Sequence, residues 1–237
     1  MNKRIPGTPY QNPAADQVVL EAEPKPLEMD LKRAGIVVVD MQNAFIAKGA
    51  YVDLRGFDVS LAQQIVAPIR KITRAARAKG LKVIYFFTTH DPGDAGKGPD
   101  SVYWHKEGSL AMYREHPEFK DNLLLPDTWG GEIISELKPE KVDVVIEKPR
   151  YSGFFDTNFG TVLKRYNLTY LIFVGVATNC CVESTIRDAY YRGYFSIMVL
   201  DATAASGPKF MQEAAAFNVK SFFGWITTTD NVLKTLI

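Results

Sequence analysis

The sequence predicts a three-layer αβα domain built on a doubly wound, mainly parallel six-stranded sheet. Three observations predict it. Short apolar or β-branched runs alternate with helical patterns from residue 35 to the end of the chain. The first run, Gly35-Ile36-Val37-Val38-Val39-Asp40, has no polar alternation, as expected for a strand buried on both faces. A length of 237 residues with 46% hydrophobic content suits one large α/β domain with a sizeable core.

The elements follow in order. Residues 1–32 read as an N-terminal arm, separate from a domain at 33–237. Pro6, Pro9, Pro13, Pro24 and Pro26, with scattered charge, argue against any regular element in the arm. After the strand at 35–40, Ser60-Leu61-Ala62-Gln63 has the capping-box pattern. The helix it opens carries Leu61, Ile65, Ile69, Ile72 and Ala76 on one face and stops at Gly80. Residues 81–87 form the second strand. The stretch 89–130, rich in Gly, Pro, Trp, Tyr and His, reads as irregular, and so long a stretch inside a domain usually serves function. A short helix at 132–137 leads to a third strand at 142–147, a helix at 157–165 and a fourth strand at 170–174. A helix at 181–191, a fifth strand at 195–201 and a helix at 208–217 with Pro208 in its first turn come next. A sixth strand at 219–226 and a helix at 230–237 complete the series. No internal repeat is present.

Composition excludes several classes. The 28 basic and 27 acidic residues are mixed along the chain, and no basic stripe points to nucleic acid. No apolar run approaches about 18 residues, so no membrane span is expected. The N-terminus lacks the apolar segment of a signal peptide. The two cysteines, Cys180 and Cys181, are adjacent and cannot join distant segments, which fits a reducing, cytoplasmic compartment.

Three polar residues fall where strands end, the edge at which open α/β sheets bind ligands. Asp40 ends the first strand, Lys148 follows the third, and Gly175-Val176-Ala177-Thr178-Asn179-Cys180-Cys181 follows the fourth and opens a helix. A cysteine at a helix N-terminus is expected to favour thiolate, a nucleophile, with backbone N–H groups nearby as oxyanion donors. Asp40, partly desolvated, suits a general base, and Lys148 suits a cation that stabilises developing negative charge. Taken singly, each has a plainer reading: a turn or capping Asp, a solvated Lys, a buried and inert Cys. Their coincidence at three strand ends favours a joint site.

Three segments resemble the isochorismatase-like cysteine hydrolases: Val39-Asp40-Met41-Gln42-Asn43-Ala44-Phe45, Glu147-Lys148-Pro149-Arg150-Tyr151-Ser152-Gly153-Phe154-Phe155, and 175–183. The resemblance spans roughly 33–230 and implies a catalytic triad of Asp40, Lys148 and Cys181. It also implies a cis peptide at Val176-Ala177 and an oxyanion hole formed by the Ala177 and Cys181 amides. The stretches 148–155, 177–179, 181–185, 207–210, 222–225 and 49–60 further resemble the family's ureidoacrylate amidohydrolase branch, which serves pyrimidine degradation. Cys180, where the branch is usually aliphatic, and the 89–104 loop depart from it.

The implied reaction is hydrolysis of a ureido or carbamoyl C–N bond through a Cys181 thio-acyl intermediate. Biuret, N-carbamoylsarcosine or another small amide are alternative substrates, and a catalytically silent binding protein is the reading from another class. Asn43, Arg150, Lys209 and His105 are candidates to meet a substrate carboxylate, with Phe45, Trp104 and Tyr151 as walls. Arg150 reads equally as a surface ion-pair residue and Phe45 as core. No cofactor is implied. Three histidines in all, with Thr88-Thr89-His90-Asp91 where related enzymes gather metal ligands, give no expected metal site. The implied partners are a small-molecule substrate and further copies of the chain, as a dimer or tetramer.

Overall fold

The computed structural model describes residues 16–91 and 98–236. Its centre is a six-stranded sheet: β3 (Ala34–Val39), β4 (Lys82–Phe87), β5 (Val144–Glu147), β6 (Tyr170–Val176), β7 (Phe195–Ala204) and β8 (Trp225–Thr227). The order is β5-β4-β3-β6-β7-β8, and every pairing is parallel. The chain therefore winds outward in one direction from β3 to β5 and in the other from β6 to β8. β3 and β6 flank the switch point, where crossovers diverge and leave a crevice at the strands' carboxyl ends.

Alternation along the strands divides the core into two apolar layers. Ile36, Val38, Ile172 and Val174 pack with Ile69, Ile72 and Val232 on one face. Val37, Val39 and Phe173 pack with Phe159, Leu163, Val182 and Ile186 on the other. α4 (Val66–Ala78) and α10 (Thr229–Thr235) thus cover one side, and α7 (Phe159–Arg165) and α8 (Glu183–Tyr191) the other.

Several elements depart from expectation. Residues 1–15 of the arm lie outside the described residues, but 17–30 are not irregular. β1 (Gln17–Leu20) and β2 (Leu27–Asp30) form an antiparallel hairpin. Its prolines sit in the connection, where no ladder N–H is needed, and Glu23 bridges Ile226. Leu20, Leu27 and Met29 are buried in the main core. The expected helix at 60–80 is two helices, α3 (Ser60–Gln64) and α4. Pro68 explains the break, because it has no N–H to offer the Gln64 carbonyl. Asp58, not Ser60, makes the local cap: its carboxylate accepts from the Ser60 amide and hydroxyl at 2.8 Å each. At Gly80, φ is +75°, and Gly80 and Leu81 donate to Arg77 and Ala76, closing the helix as expected.

The stretch 89–130 holds helices: α5 (Val102–Lys106), α6 (Gly108–Glu115) and a 3₁₀ segment, Pro117–Asn122. Two further single-turn helices, α1 (Asn43–Ile46) and α2 (Tyr51–Leu54), are too short to leave a periodic signal. The expected helix at 132–137 is a single 3₁₀ turn at Ser135–Leu137. The expected sixth strand divides into a wide helical turn at Val219–Phe223, continuing α9 (Phe210–Asn218), and the short β8.

Gly175 ties β6 to the switch point. Its φ is +110°, it lies at a register irregularity opposite β7, and a Cβ there would collide with the Val39 carbonyl. Gly175→Ala is therefore expected to destabilise the fold by about 2 kcal/mol or more. Gly160→Ala in α7, where a Cβ meets nothing within 4 Å, is expected to be neutral or stabilising by up to about 1 kcal/mol. Denaturant unfolding of the two variants checks the contrast.

Candidate active site

Four segments converge at the carboxyl edge of the sheet. Asp40 follows β3 with φ of +50°, and its amide donates to the Phe86 carbonyl at 3.1 Å. Gln42 braces this turn: its amide group donates to the Thr88 and Gly131 carbonyls and accepts from the Thr88 amide, all at 2.8–2.9 Å. Lys148 follows β5, and its carbonyl accepts from the Thr88 hydroxyl at 2.8 Å. The cysteine turn follows β6. It carries the cis peptide expected at Val176-Ala177. Cys180 and Val182 amides fold back onto the Ala177 carbonyl at 3.0 and 3.2 Å. Asn179 exchanges two 3.1 Å hydrogen bonds with Ser206, clamping the turn to the end of β7. Thr185 accepts from the Gly153 amide and donates to the Cys181 carbonyl, joining the turn to the 148–155 segment.

Asp40, Lys148 and Cys181 meet. Lys148 Nζ lies 2.7 Å from Asp40 Oδ2, 3.4 Å from Cys181 Sγ and 3.1 Å from the Arg150 carbonyl. Asp40 and Lys148 are fully buried and Cys181 nearly so. Burial opposes charge on Lys148, but Asp40 and Cys181 outweigh it and hold the ammonium above the ordinary lysine range. Asp40 Oδ1 is buried and has no hydrogen-bond partner among the described residues.

The surroundings do not favour the thiolate expected of Cys181. α8 starts at Glu183, after a wide π-type turn at Thr178–Val182, so Cys181 is not at the end of a regular helix. Its hydrogen bond with Cys180, its burial and the Asp40 carboxylate push its pKa well up, and Lys148 offsets this in part. Of the adjacent thiols, Cys181 is the more deeply buried and the one pushed up, while the hydrogen bond with Cys181 moves Cys180 down. Both cysteines are free rather than joined.

Lys148 and the two cysteines border a cavity of about 130 Å³, and Asp40 lies behind them. Among the expected substrate-binding residues, Phe45, Arg150 and Tyr151 line it. The Arg150 guanidinium stacks 3.5 Å above the Tyr103 ring and keeps a buried Nε without a partner among the described residues. Four others lie elsewhere. Asn43 donates to the Trp129 carbonyl and faces a separate cleft. Trp104 packs in a satellite core under the Arg114 guanidinium, 3.9 Å away. His105 contacts the Pro99 carbonyl at 2.7 Å, and Lys209 is exposed before α9.

The sequence reading missed Tyr51, Arg55, His90, Glu107 and Asn179 as cavity residues. Tyr51 and Arg55 share a helical face at i,i+4 spacing and are joined at 3.0 Å, a signal that was available. Glu107 left none, because the helices around it are one and two turns long. Among the described residues no group of three His, Cys, Asp or Glu side chains is placed to hold a metal ion.

The buried pair has a measurable energetic signature. Lys148→Met leaves Asp40 without its cation and is expected to cost about 3–5 kcal/mol of stability at pH 7. The double variant Asp40→Asn/Lys148→Met is expected to be more stable than Lys148→Met alone. A double-mutant cycle of urea unfolding tests this.

Comparison with known proteins places the chain. Residues 34–231 match the Isochorismatase domain model. The chain is 46% identical over 219 residues to "Ureidoacrylate amidohydrolase RutB" of Pseudomonas savastanoi pv. phaseolicola, covering 92% of this chain and 89% of that protein. It is also 46% identical to the protein of the same name from Agrobacterium fabrum, covering 90% and 94%. Among solved structures, a cysteine hydrolase from Pseudomonas syringae pv. phaseolicola 1448A superposes with a TM-score of 0.71 at 30% identity, covering 88% of this chain and 94% of that one. N-carbamoylsarcosine amidase from Thermoplasma acidophilum superposes with a TM-score of 0.63 at 27% identity, covering 84% and 97%. The matched domain spans nearly all of the described core, and the chain belongs to the isochorismatase domain family.

Proposed function

We propose that this protein is a cysteine amidohydrolase that cleaves a ureido C–N bond, with ureidoacrylate as substrate and aminoacrylate and carbamate as products. The observation that carries the reading is Lys148 held between Asp40 and Cys181, buried against a small cavity. The relatives named ureidoacrylate amidohydrolase, 46% identical over about nine-tenths of the chain, support an amidohydrolase acting on C–N bonds other than peptide bonds.

In this mechanism the Cys181 thiol keeps its proton until substrate arrives. As Sγ attacks the ureido carbonyl carbon, the proton passes to Asp40, whose Oδ1 has no partner among the described residues. The oxyanion is received by the Ala177 and Cys181 amides, with the Lys148 ammonium adding positive charge nearby. Asp40 then gives its proton to the leaving nitrogen, the C–N bond breaks, and a thiocarbamoyl group remains on Cys181. Water, deprotonated by Asp40, attacks that carbonyl and releases carbamate, and the thiol is restored. Carbamate decays to ammonia and carbon dioxide. Arg150, whose Nε has no partner among the described residues, and Arg55 are the cations in reach of a substrate carboxylate.

The free cysteines suit a reducing, cytoplasmic setting. The exposed aromatic group of Tyr190, Tyr191, Phe217 and Phe222 supports self-association into a homo-oligomer. Among the described residues no helix is long and apolar enough to cross a membrane.

Ammonia release from ureidoacrylate by the purified protein tests the reading. Turnover is expected to fall by about three orders of magnitude or more in Cys181→Ala and by about 10²–10⁴-fold in Asp40→Asn. Release that survives Cys181→Ala contradicts the mechanism. Absence of release by the wild type contradicts the substrate.

A further inference from the structure

The triad chemistry leaves two buried titratable side chains of the cavity without a task. His90 follows β4, and Glu107 joins α5 to α6. They are 8% and 6% exposed, and His90 Nε2 lies 3.2 Å from Glu107 Oε2. Burial, with the charges of Lys148 and Arg150, pushes the His90 pKa down to about 4, so the imidazole is neutral near pH 7. The tautomer of such a ring with its proton on Nε2 would donate it to the nearby Oε2. Burial pushes the Glu107 carboxyl up, Arg150 and Lys148 pull it back down, and the side chain borders the cavity beside His90.

The fold does not need an acid at this position. Glu107 immediately precedes α6, yet its side chain makes no capping hydrogen bond to that helix. It turns into the cavity, where it is electrostatically coupled to Tyr51, Tyr151, Cys180, Lys148 and Arg150. The close fit of α6 to the cavity wall depends on Gly108, where a Cβ would stand 2.5 Å from the Tyr51 hydroxyl and 3.3 Å from Arg55 Nη1. Every other strongly charged wall group, Arg55, Arg150 and Lys148, donates hydrogen bonds. A substrate carboxylate and an oxyanion have partners there, but the N–H groups of a carbamoyl substrate need an acceptor.

We infer that Glu107, oriented by His90, is that acceptor, and that it makes the enzyme select substrates whose carbonyl carries an unsubstituted NH₂ over N-alkylated ones. The inference rests on the carbamoyl reading of the site. A buried acceptor facing a group that cannot donate is left unpaired, which sites of this kind penalise strongly.

Glu107→Gln separates hydrogen-bond chemistry from shape. The variant keeps the volume, but His90 Nε2–H engages the new carbonyl oxygen and turns the amide NH₂ toward the cavity, donor against donor. The probes are ureidoacetate and its terminal N,N-dimethyl analogue, titrated calorimetrically into full-length Cys181→Ala protein. Ureidoacetate is expected to bind at least about tenfold more tightly than the dimethyl analogue. In Cys181→Ala/Glu107→Gln this preference is expected to fall below about twofold. A preference unchanged by Glu107→Gln means exclusion by shape and overturns the inference, as does failure of ureidoacetate to bind. If Glu107→Gln does not fold, Glu107→Asp, which withdraws the acceptor by one methylene, is expected to lower the same ratio. The expected preference without ureidoacrylate turnover by the wild type leaves the inference standing and overturns the proposed substrate.

Discussion

Lys148 carries its charge in a place that water does not reach, and Asp40 is the anion that keeps it there. A buried ammonium is tolerated when a carboxylate and further acceptors surround it, and here they are Asp40 Oδ2, the Arg150 carbonyl and Cys181 Sγ. The two charges come from strands that are not neighbours in the sheet, since β4 lies between β3 and β5. Lys148 must therefore reach over the end of β4. Thr88 and Gln42, which knit the ends of β3 and β4 together, hold that path open. Register, turn geometry and charge placement are consequences of one constraint.

The same constraint governs the nucleophile. A carboxylate and an ammonium 2.7 Å apart are nearly neutral as a pair, so they give a resting thiolate little net support. Burial then favours the thiol. In the proposed mechanism Oδ1 of Asp40, which has no partner among the described residues, takes the proton at the moment of attack, in place of a standing thiolate. Adjacent Cys180 shares the thiol hydrogen bond and borders the same cavity.

The doubly wound sheet was legible because strands β3, β4, β6 and β7 are buried on both faces and therefore carry unbroken apolar runs. Asp40 and Cys181, which meet Lys148, were legible because each follows such a run or its turn, and Lys148 because it follows the shorter apolar run of β5. The walls were not. Trp104 and His105 stand on a five-residue helix whose facing is set by packing against Arg114 and the satellite core, and nothing periodic announces that. Glu107, two residues on, turns inward instead. The hairpin at 17–30 was hidden because prolines in its connection obscured two short strands, whose pairing is a tertiary property. The break before α4 was readable in Pro68 and is the point at which local chemistry overrode an otherwise helical pattern.

In the proposed mechanism the Asp40 carboxylate holds Cys181 in its thiol form and accepts its proton only during attack. The most direct measurement is the rate of Cys181 alkylation by iodoacetamide from pH 6 to 10 in the wild type and in Asp40→Asn, with the modified residue identified by mass spectrometry. Removing the carboxylate while Lys148 remains should lower the thiol pKa, so the account predicts faster alkylation of Asp40→Asn near pH 7. Slower alkylation of Asp40→Asn across the range would show that Asp40 maintains a standing thiolate, and would contradict it.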